Sequence, residues 1–243
     1  MTEFTNLNPT GNTYFEISRE MFRKIRPVNI FGFNIDIATS FETVWTVGGK
    51  YTYPSSALTM SVVSTSASDT MDVLIQGLNE NYLEISETVT LNGTTPVTTS
   101  IDFYRINTAV ILSGSNVGNI NISNGGTTYA QIAAELGITQ SCIYTVPADK
   151  SLYITRIDSN SATANPNKYI TIRNQTRTKT GRVLKVAEAT YATSQISYDR
   201  QIPFKIGECT DFEFEAKSSS SVNEIAMFVE AVLAENPTDV RSK

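Results

Sequence analysis

Alternation of apolar and polar residues is the dominant pattern along the chain, and it predicts β-strands. Residues 82–91 place apolar side chains at every second position, with Glu87 as the exception; this is the period of a strand with one buried face. Asn92-Gly93 follows, and this dipeptide favours a type I′ turn, in which both central residues have positive φ. The stretch 73–110 therefore predicts a strand, a turn, a long strand, a tight turn and two further strands.

The same rhythm returns between residues 142 and 233. Strand-like segments begin about every ten residues, which is typical of sandwiches and jelly rolls. Polar turns interrupt them at 147–150 and 178–181. We predict an all-β protein with two β-sandwich or jelly-roll-like units, the first over residues 28–126 and the second over residues 138–234.

A short helix is predicted to join the two units, over residues 127–137. Thr128 and Gln131 have the spacing of a capping box, and Gly137 stands where a helix often ends. Apolar residues of this segment share one helical face.

The amino-terminal residues 1–27 read as an extended arm followed by a short amphipathic helix. Ser18 is a suitable N-cap for a helix over residues 18–25, and Pro27 ends it. So short a helix must dock to persist, either on its own chain or on a neighbouring subunit. The tail, 235–243, is polar, and we expect it to fray.

Composition narrows the class of protein. The chain has 243 residues, of which 40% are hydrophobic and only 18% charged, with a net charge of −5. Ser, Thr and Asn make up roughly a third of it, above the usual share. This polar but weakly charged surface suits a protein that packs against neighbours. We expect no membrane span, no secretory signal, and synthesis in a cytoplasm.

The acidic balance also argues against nucleic-acid binding, which relies on basic stripes. Two short basic runs occur, and neither is interleaved with aromatic residues. Solvated charge explains them, and contact with an acidic partner protein is the alternative. The runs comprise Arg19, Arg23, Lys24 and Arg26, and Arg173, Arg177, Lys179, Arg182 and Lys185.

The chain has no histidine, so it lacks the usual general base near neutral pH and the commonest metal ligand. Ser-His-Asp and Cys-His catalytic arrangements are therefore excluded. Cys142 and Cys209 are too few for a four-ligand zinc site or a disulfide-stapled secreted domain. We expect two reduced thiols, and their pairing across two sheets stays open.

Paired carboxylates remain possible, since glycoside hydrolases use two of them. Solvated surface charge explains the candidates equally well, and no phosphate-binding glycine motif occurs. We therefore expect no catalytic, cofactor-binding or metal-binding residues, and no cofactor. The candidate groups are Asp69 with Asp72, Glu80 with Glu84 and Glu87, and Glu213 with Glu215.

Two further patterns have ordinary structural explanations. The segments 79–81 and 158–160 begin like calcium loops, but the acidic ligand that should follow is missing, so turn chemistry accounts for them. An aromatic group could form a sugar-stacking platform, although packing between sheets is the simpler explanation. That group is Phe31, Phe33, Trp45, Tyr51 and Tyr53.

Several stretches resemble a family of virion structural proteins of tailed bacteriophages, many of them marine and cyanobacterial, which are labelled head fibre or capsid decoration. The stretches are NIFGFNIDIATSFETVW, GGKYTYPSSALTMSVVSTSASDT, GLNENYLEISETVTLNGTTPVTTS, FYRINTAVI and YTVPADKSLYITRIDSNS. The resemblance covers roughly residues 28–160. It implies a non-enzymatic part of a virus particle and brings no catalytic residues with it.

We therefore expect a virion protein, in a homo-oligomer, that decorates or cements the capsid exterior. Its partners would be the major capsid protein or neck and tail proteins, with no nucleic acid and no membrane. One alternative is a tail, neck or fibre component that contacts the host surface, where a glycan is a possible partner. A carboxylate-based glycan hydrolase is the alternative from another class.

Overall fold

The structure is a computed structural model. It describes residues 13–19, 22, 24–161, 168–192, 194–220 and 223–237. Within these ranges one helix, α1 (Thr13–Ser18), precedes sixteen strands. The predicted all-β class is confirmed.

The strands of the first half of the chain are β1 (Ile25–Asn34), β2 (Glu42–Thr43), β3 (Ser61–Ser64), β4 (Asp72–Leu78), β5 (Glu84–Thr90), β6 (Val97–Thr98), β7 (Arg105–Ile111), β8 (Ile120–Asn124) and β9 (Thr127–Ile132). Those of the second half are β10 (Ile143–Thr145), β11 (Lys150–Ser161), β12 (Ile170–Arg177), β13 (Val183–Tyr191), β14 (Gln195–Ile206), β15 (Asp211–Ser218) and β16 (Ile225–Glu235).

Two sheets form what we call the large unit. One has the order β1-β16-β11-β14, and the other has the order β10-β15-β12-β13 with β2 added on β15. Alternate residues of both sheets contribute to one hydrophobic cluster, which includes Ile154, Ile172, Phe212 and Met227. Burial of these apolar faces is the main force that holds the two sheets together.

The small unit consists of strands β3–β9. Its sheets have the orders β6-β3-β8-β9 and β5-β4-β7. Both sheets contribute to a second hydrophobic cluster, which includes Val62, Ile75, Phe103 and Ile122. All the pairings recorded within these sheets are antiparallel.

The small unit is inserted between β2 and β10 of the large unit. β1 pairs with β16 along its whole length, and β2 pairs with β15. The predicted division at 28–126 and 138–234 differs from this arrangement, because it groups β1 and β2 with the strands that follow them. Local alternation identifies a strand but carries no information about a partner two hundred residues away.

The helix predicted over 127–137 is wrong. Residues Thr127–Ile132 form β9, which pairs with β8 and buries Ala130 and Ile132 in the small unit's core. Gly125 and Gly126 both have positive φ and form the two-residue turn between these strands, as type I′ geometry requires. Pairing with β8 thus outweighs the local capping signals.

The turn after β5 also differs from the prediction. The amide N–H of Thr95 donates to the carbonyl of Asn92 over 2.9 Å, so Gly93 and Thr94 are the central residues. Of the two, only Gly93 has positive φ, which indicates type II′ rather than type I′. Glycine is needed at position 93, whereas Asn92 is in an ordinary conformation.

The chain termini are only partly described. Helix α1 ends at Ser18, where the predicted helix begins, and residues 20, 21 and 23 of that prediction lie outside the described residues. Residues 1–12 and 238–243 also lie outside them. No helix in the described part of the chain is both long and apolar enough to span a membrane.

Candidate functional site

The densest group of charged side chains lies on the outer face of the large unit, along β15 and β12. Register pairs Arg173 with Glu215, Gln175 with Glu213 and Arg177 with Asp211. Residues two apart share one face of a strand, so these six side chains form a ladder with opposite charges across from one another in the two outer pairs and an amide opposite a carboxylate in the middle pair. We call this set the polar ladder.

A long loop covers the ladder and takes it out of solvent. The Tyr53 hydroxyl donates to Glu213 Oε2 over 2.9 Å, and Lys50 Nζ lies 3.1 Å from Glu215 Oε1. The ring of Phe41 lies under the guanidinium of Arg173, 3.7 Å from its centroid. The ladder is therefore sandwiched between a sheet and the segment 41–54.

The covering loop is itself fixed by a buried carboxylate. Glu42 accepts hydrogen bonds from Asn34 Nδ2, the Ala38 N–H and the Gly49 N–H, each at 3.0 Å. Trp45 Nε1 donates to the Gly48 carbonyl over 2.9 Å. The hydrogen bonds to Glu42 and the bond from Trp45 together fix the conformation of the covering loop.

The ladder ends in an ion pair that joins the two units. Arg105 of β7 donates through Nε and Nη2 to Asp211 Oδ1 and Oδ2 of β15, over 2.8 and 3.0 Å. Its Nη1 donates to the Pro54 carbonyl over 3.0 Å, and Thr145 Oγ1 donates to Asp211 Oδ1 over 2.8 Å. Bidentate geometry of this kind gives strong and specific contacts.

A second polar contact and an aromatic cluster support the same joint. Asn107 Nδ2 donates to the Thr145 carbonyl over 3.0 Å, while Asn107 Oδ1 accepts from the Thr145 N–H over 2.8 Å. Trp45 and Tyr51 pack edge to face beside it, with centroids 5.2 Å apart. Tyr129 of β9 packs against this cluster, so both units contribute to it.

Neighbouring Glu213 and Glu215 have opposite electrostatic environments. Burial raises the pKa of Glu213 to about 7, against the opposing hydrogen bond from Tyr53. Burial by itself also raises the pKa of Glu215, but hydrogen bonds from Arg173 and Lys50 bring it below its usual range. Such separation is typical of acid–base pairs, but here both carboxylates lie beneath the covering loop.

The other predicted carboxylate groups are not brought together for chemistry. Asp69 is fully buried and accepts from Ser64 Oγ and from the amides of Val117 and Gly118. Burial alone raises the pKa of Asp69, but these hydrogen bonds leave it lowered. Asp72 instead accepts from Thr90 across the β4–β5 pair.

The Glu80, Glu84 and Glu87 group is also dispersed. Glu84 forms ion pairs with Arg26 and Lys150 of the large unit, which lower its pKa against the effect of burial. Glu87 accepts from the amides of Ser100 and Ile101. Glu80 is exposed.

A groove of about 580 Å³ lies between the two units. Its walls come from β1 on one side and from β4, β5 and β7 on the other. Its lining mixes apolar side chains, among them Phe31, with amide and hydroxyl groups and with the ion-paired Arg26 and Glu84. Its polar lining includes Asn29, Gln76, Ser86, Asn107, Thr108 and Ser141.

The remaining candidates have structural roles. Phe31 packs on Phe228 with centroids 4.3 Å apart, and neither residue belongs to the cluster of Trp45, Tyr51 and Tyr53. Both cysteines are free thiols, and burial raises the pKa of each. In the part of the chain that is described, no group of three Cys, Asp or Glu residues could hold a metal ion.

The basic runs are divided between buried and exposed positions. Arg173 belongs to the polar ladder, whereas Lys179, Arg182 and Lys185 are exposed. The sequence alone does not distinguish these positions, since all five basic residues fit a solvated surface. Period-two spacing of Asp211, Glu213 and Glu215 opposite Arg173, Gln175 and Arg177 is the signal that could have revealed the ladder.

Comparisons with known proteins add little to this picture. No protein-family model matches the chain, and no curated protein matches it. The chain is similar to the solved structure of infectious bursal disease virus Gx strain, with 9% identity, a TM-score of 0.24, and coverage of 89% of this chain and 78% of that chain. For the Gt strain the identity is 10%, the TM-score 0.22, and the coverage 88% and 78%. These TM-scores are too low to support an argument about function.

Proposed function

We propose that the chain is a non-enzymatic structural protein of a tailed-bacteriophage particle, and that it decorates or cements the capsid exterior. Its large and small units would act as two β-sandwich or jelly-roll-like bodies held in one orientation. The observation that carries the proposal is the joint between them: Arg105 and Asp211 form a buried, bidentate ion pair across the two units.

A protein that bridges neighbours in a shell must transmit force without bending at its joint. The Arg105–Asp211 pair, the reciprocal Asn107–Thr145 contact and the aromatic cluster supply polar and apolar contacts at one place. Buried, hydrogen-bonded ion pairs are costly to break, because separation leaves a buried charge without a partner. The joint therefore favours a stiff building block.

The burial of the paired carboxylates next to this joint supports a structural role for them. Glu213 and Glu215 contact Tyr53, Lys50 and Arg173 beneath the covering loop. The resemblance of residues 28–160 to phage virion proteins points in the same direction. The proposed partners are the major capsid protein and other copies of this chain.

Purified particles of the virus that encodes the chain provide the test. Quantitative mass spectrometry should find the chain at a copy number comparable with that of the major capsid protein, and antibody labelling in electron micrographs should mark the head. A chain found only outside particles would contradict the structural role. A few copies confined to the tail would contradict decoration of the shell.

The groove between the units favours a second candidate, a tail, neck or fibre component that binds a host-surface glycan. Side-chain amides and hydroxyls beside an aromatic ring are the groups that recognise uncharged polyols. A glycan array should then give binding that Gln76→Leu weakens at least tenfold, while Gln201→Leu, at an exposed site on β14, leaves it unchanged. Equal binding by both variants would remove this candidate.

A further inference from the structure

Strand β13 is an edge strand that carries apolar residues but is not covered. It is the last strand of its sheet, and its only recorded partner is β12. Its first six residues are all exposed, including Val183, Leu184 and Val186, the last at 39%. An open edge of this kind is a template for pairing with another strand.

The next strand in the chain, β14, also exposes large apolar side chains. β14 follows β13 after a short connection and is the last strand of the facing sheet, so both open edges lie on one side of the large unit. Tyr198 and Ile202 of β14 are 54% and 82% exposed. Exposed apolar residues on two edge strands favour an interaction site on this side of the large unit.

Two features of β13 would ordinarily discourage pairing: a lysine and a β-bulge. The bulge falls at Val186, because Lys185 pairs with Gln175 while Ala187 pairs with Asn174. It also places Glu188 opposite Arg173. Since Gln175 and Arg173 share a face of β12, Lys185 and Glu188 share a face of β13.

We propose that β13 pairs antiparallel with β13 of a second copy about a two-fold axis, with Lys185 of each chain opposite Glu188 of the other. Antiparallel pairing requires that facing residues lie on the same face of the sheet. The bulge meets this condition for the Lys185–Glu188 pairs. The same register sets Leu184 opposite Ala189, and both lie on the core side, since they pair with Thr176 and Ile172.

The charges of Lys185 and Glu188 favour a second copy of this chain as the partner of β13. One strand carries both a positive and a negative group in positions that exchange under a two-fold rotation, as an isologous interface requires. An unrelated strand would leave Lys185 and Glu188 without partners. The interface would also make one continuous sheet from two copies and cover exposed apolar residues of β13. This inference goes beyond the proposed role in a particle and does not depend on it.

Sedimentation velocity of the purified full-length chain tests the interface. The wild type should sediment as a species of twice the 26.7 kDa chain mass. Lys185→Glu and Glu188→Lys should each give monomers, because like charges then face each other. The double variant K185E/E188K should restore the dimer. Val117→Glu, at a 64% exposed site in the small unit, is the matched control and should remain dimeric.

A wild type that is monomeric at all concentrations, or that forms trimers, would overturn the proposal. Dimers that persist in both single variants, or a double variant that stays monomeric, would overturn the assigned register. Circular dichroism should confirm that each variant remains folded. Chemical cross-linking tests the pairing without variants. In a mixture of ¹⁴N- and ¹⁵N-labelled chains, a carbodiimide should link Lys185 of one chain to Glu188 of a chain with the other label. Cross-links found only within chains of one label would refute the pairing.

Discussion

Strands β12 and β13 are neighbours in one sheet, but the polar residues of β12 are buried whereas apolar residues of β13 are exposed. β12 reads ITIRNQTR, and every residue except the last is buried. β13 reads VLKVAEATY, and only its carboxyl-terminal end is covered. The difference arises from what lies over each strand: the loop 41–54 covers the polar face of β12, while no strand beyond β13 covers its edge. Hydrophobicity thus predicts a strand but not which of its faces are buried.

The two strands also differ in the free-energy cost of burying or exposing their side chains. The polar residues of β12 and β15 tolerate burial because opposite charges and hydrogen-bond donors face them. The apolar residues of β13 lie on an open edge, where their exposure costs the single folded chain little and where a second strand could cover them. Changes in the two regions should therefore have very different effects on stability.

The largest effect is expected for Arg105→Met. The change leaves Asp211 as a buried carboxylate without its charged partner, so unfolding by urea should show a loss of about 3–5 kcal/mol. Asp199→Asn, which alters an exposed carboxylate 3.6 Å from Arg156, should leave the midpoint unchanged. Equal stability of the Arg105 variant and the wild type would mean that the joint is not held by this pair.

Glu213→Gln should change the pH dependence of stability. A carboxyl group whose folded-state pKa is raised to about 7 binds its proton more tightly in the folded chain than in the unfolded one. Wild-type stability should therefore fall as pH rises from about 4.5 to 7 and then level off. The variant lacks this loss, so at pH 8 it should be more stable than the wild type by about 3 kcal/mol.

Thermal melts of both proteins from pH 4 to pH 9 measure this difference. Parallel curves would show that Glu213 is not desolvated in the folded chain. Glu208→Gln is a suitable control, since Glu208 is exposed in the connection between β14 and β15 and its neutralisation should leave the curve close to that of the wild type.

Gln175→Met should have a smaller effect, of about 1 kcal/mol at pH 8. The substitution keeps the length of the side chain but removes the Nε2 group that donates to Glu213 Oε1 over 3.3 Å. The loss should be smaller at pH 5, because a neutral carboxyl group accepts a weaker hydrogen bond than a carboxylate does; an equal loss at both pH values would make packing responsible. Urea unfolding at both pH values separates the two.

Val183→Thr should have the smallest effect, below about 0.5 kcal/mol, when it is measured at concentrations where the chain is monomeric. Val183 is exposed at the start of β13, and threonine retains β-propensity. The same change at buried Val229 should cost about 1–3 kcal/mol, because it buries a hydroxyl group in an apolar cluster. Similar losses at both positions would remove the contrast between the strands.

Local signals account for much of the fold. The alternating segments of the second half became β10–β16, and the polar turn at 178–181 is present, with the Gly181 N–H donating to the Thr178 carbonyl over 2.8 Å. The failures were also informative. The capping-box pattern at 127–137 predicted a helix, but pairing with β8 makes this segment a strand. The preceding Gly125-Gly126 pair is typical of a hairpin turn and could have indicated this.

The candidate site was predictable only as a list of residues. The sequence analysis noted Glu213 with Glu215 as a pair on one strand face, and the structure keeps them there. Their partners Tyr53 and Lys50 come from a segment more than a hundred residues away, and so does Arg105, which pairs with Asp211 on the same strand. No local pattern predicts that these segments converge. The burial of Glu213 and Glu215 beside the joint between the units could therefore not be predicted from the sequence.

By itself, the sequence determined that this protein is built from β-strands, because alternation, β-branched residues and glycine turns act within a few residues of one another. It also excluded histidine-based chemistry. The tertiary structure decided that β1 and β2 close the large unit, that a charged ladder is buried, and that an apolar edge is left open. These outcomes depend on which distant surfaces meet, and the free energy of burying a face belongs to the pair of surfaces and not to either segment alone.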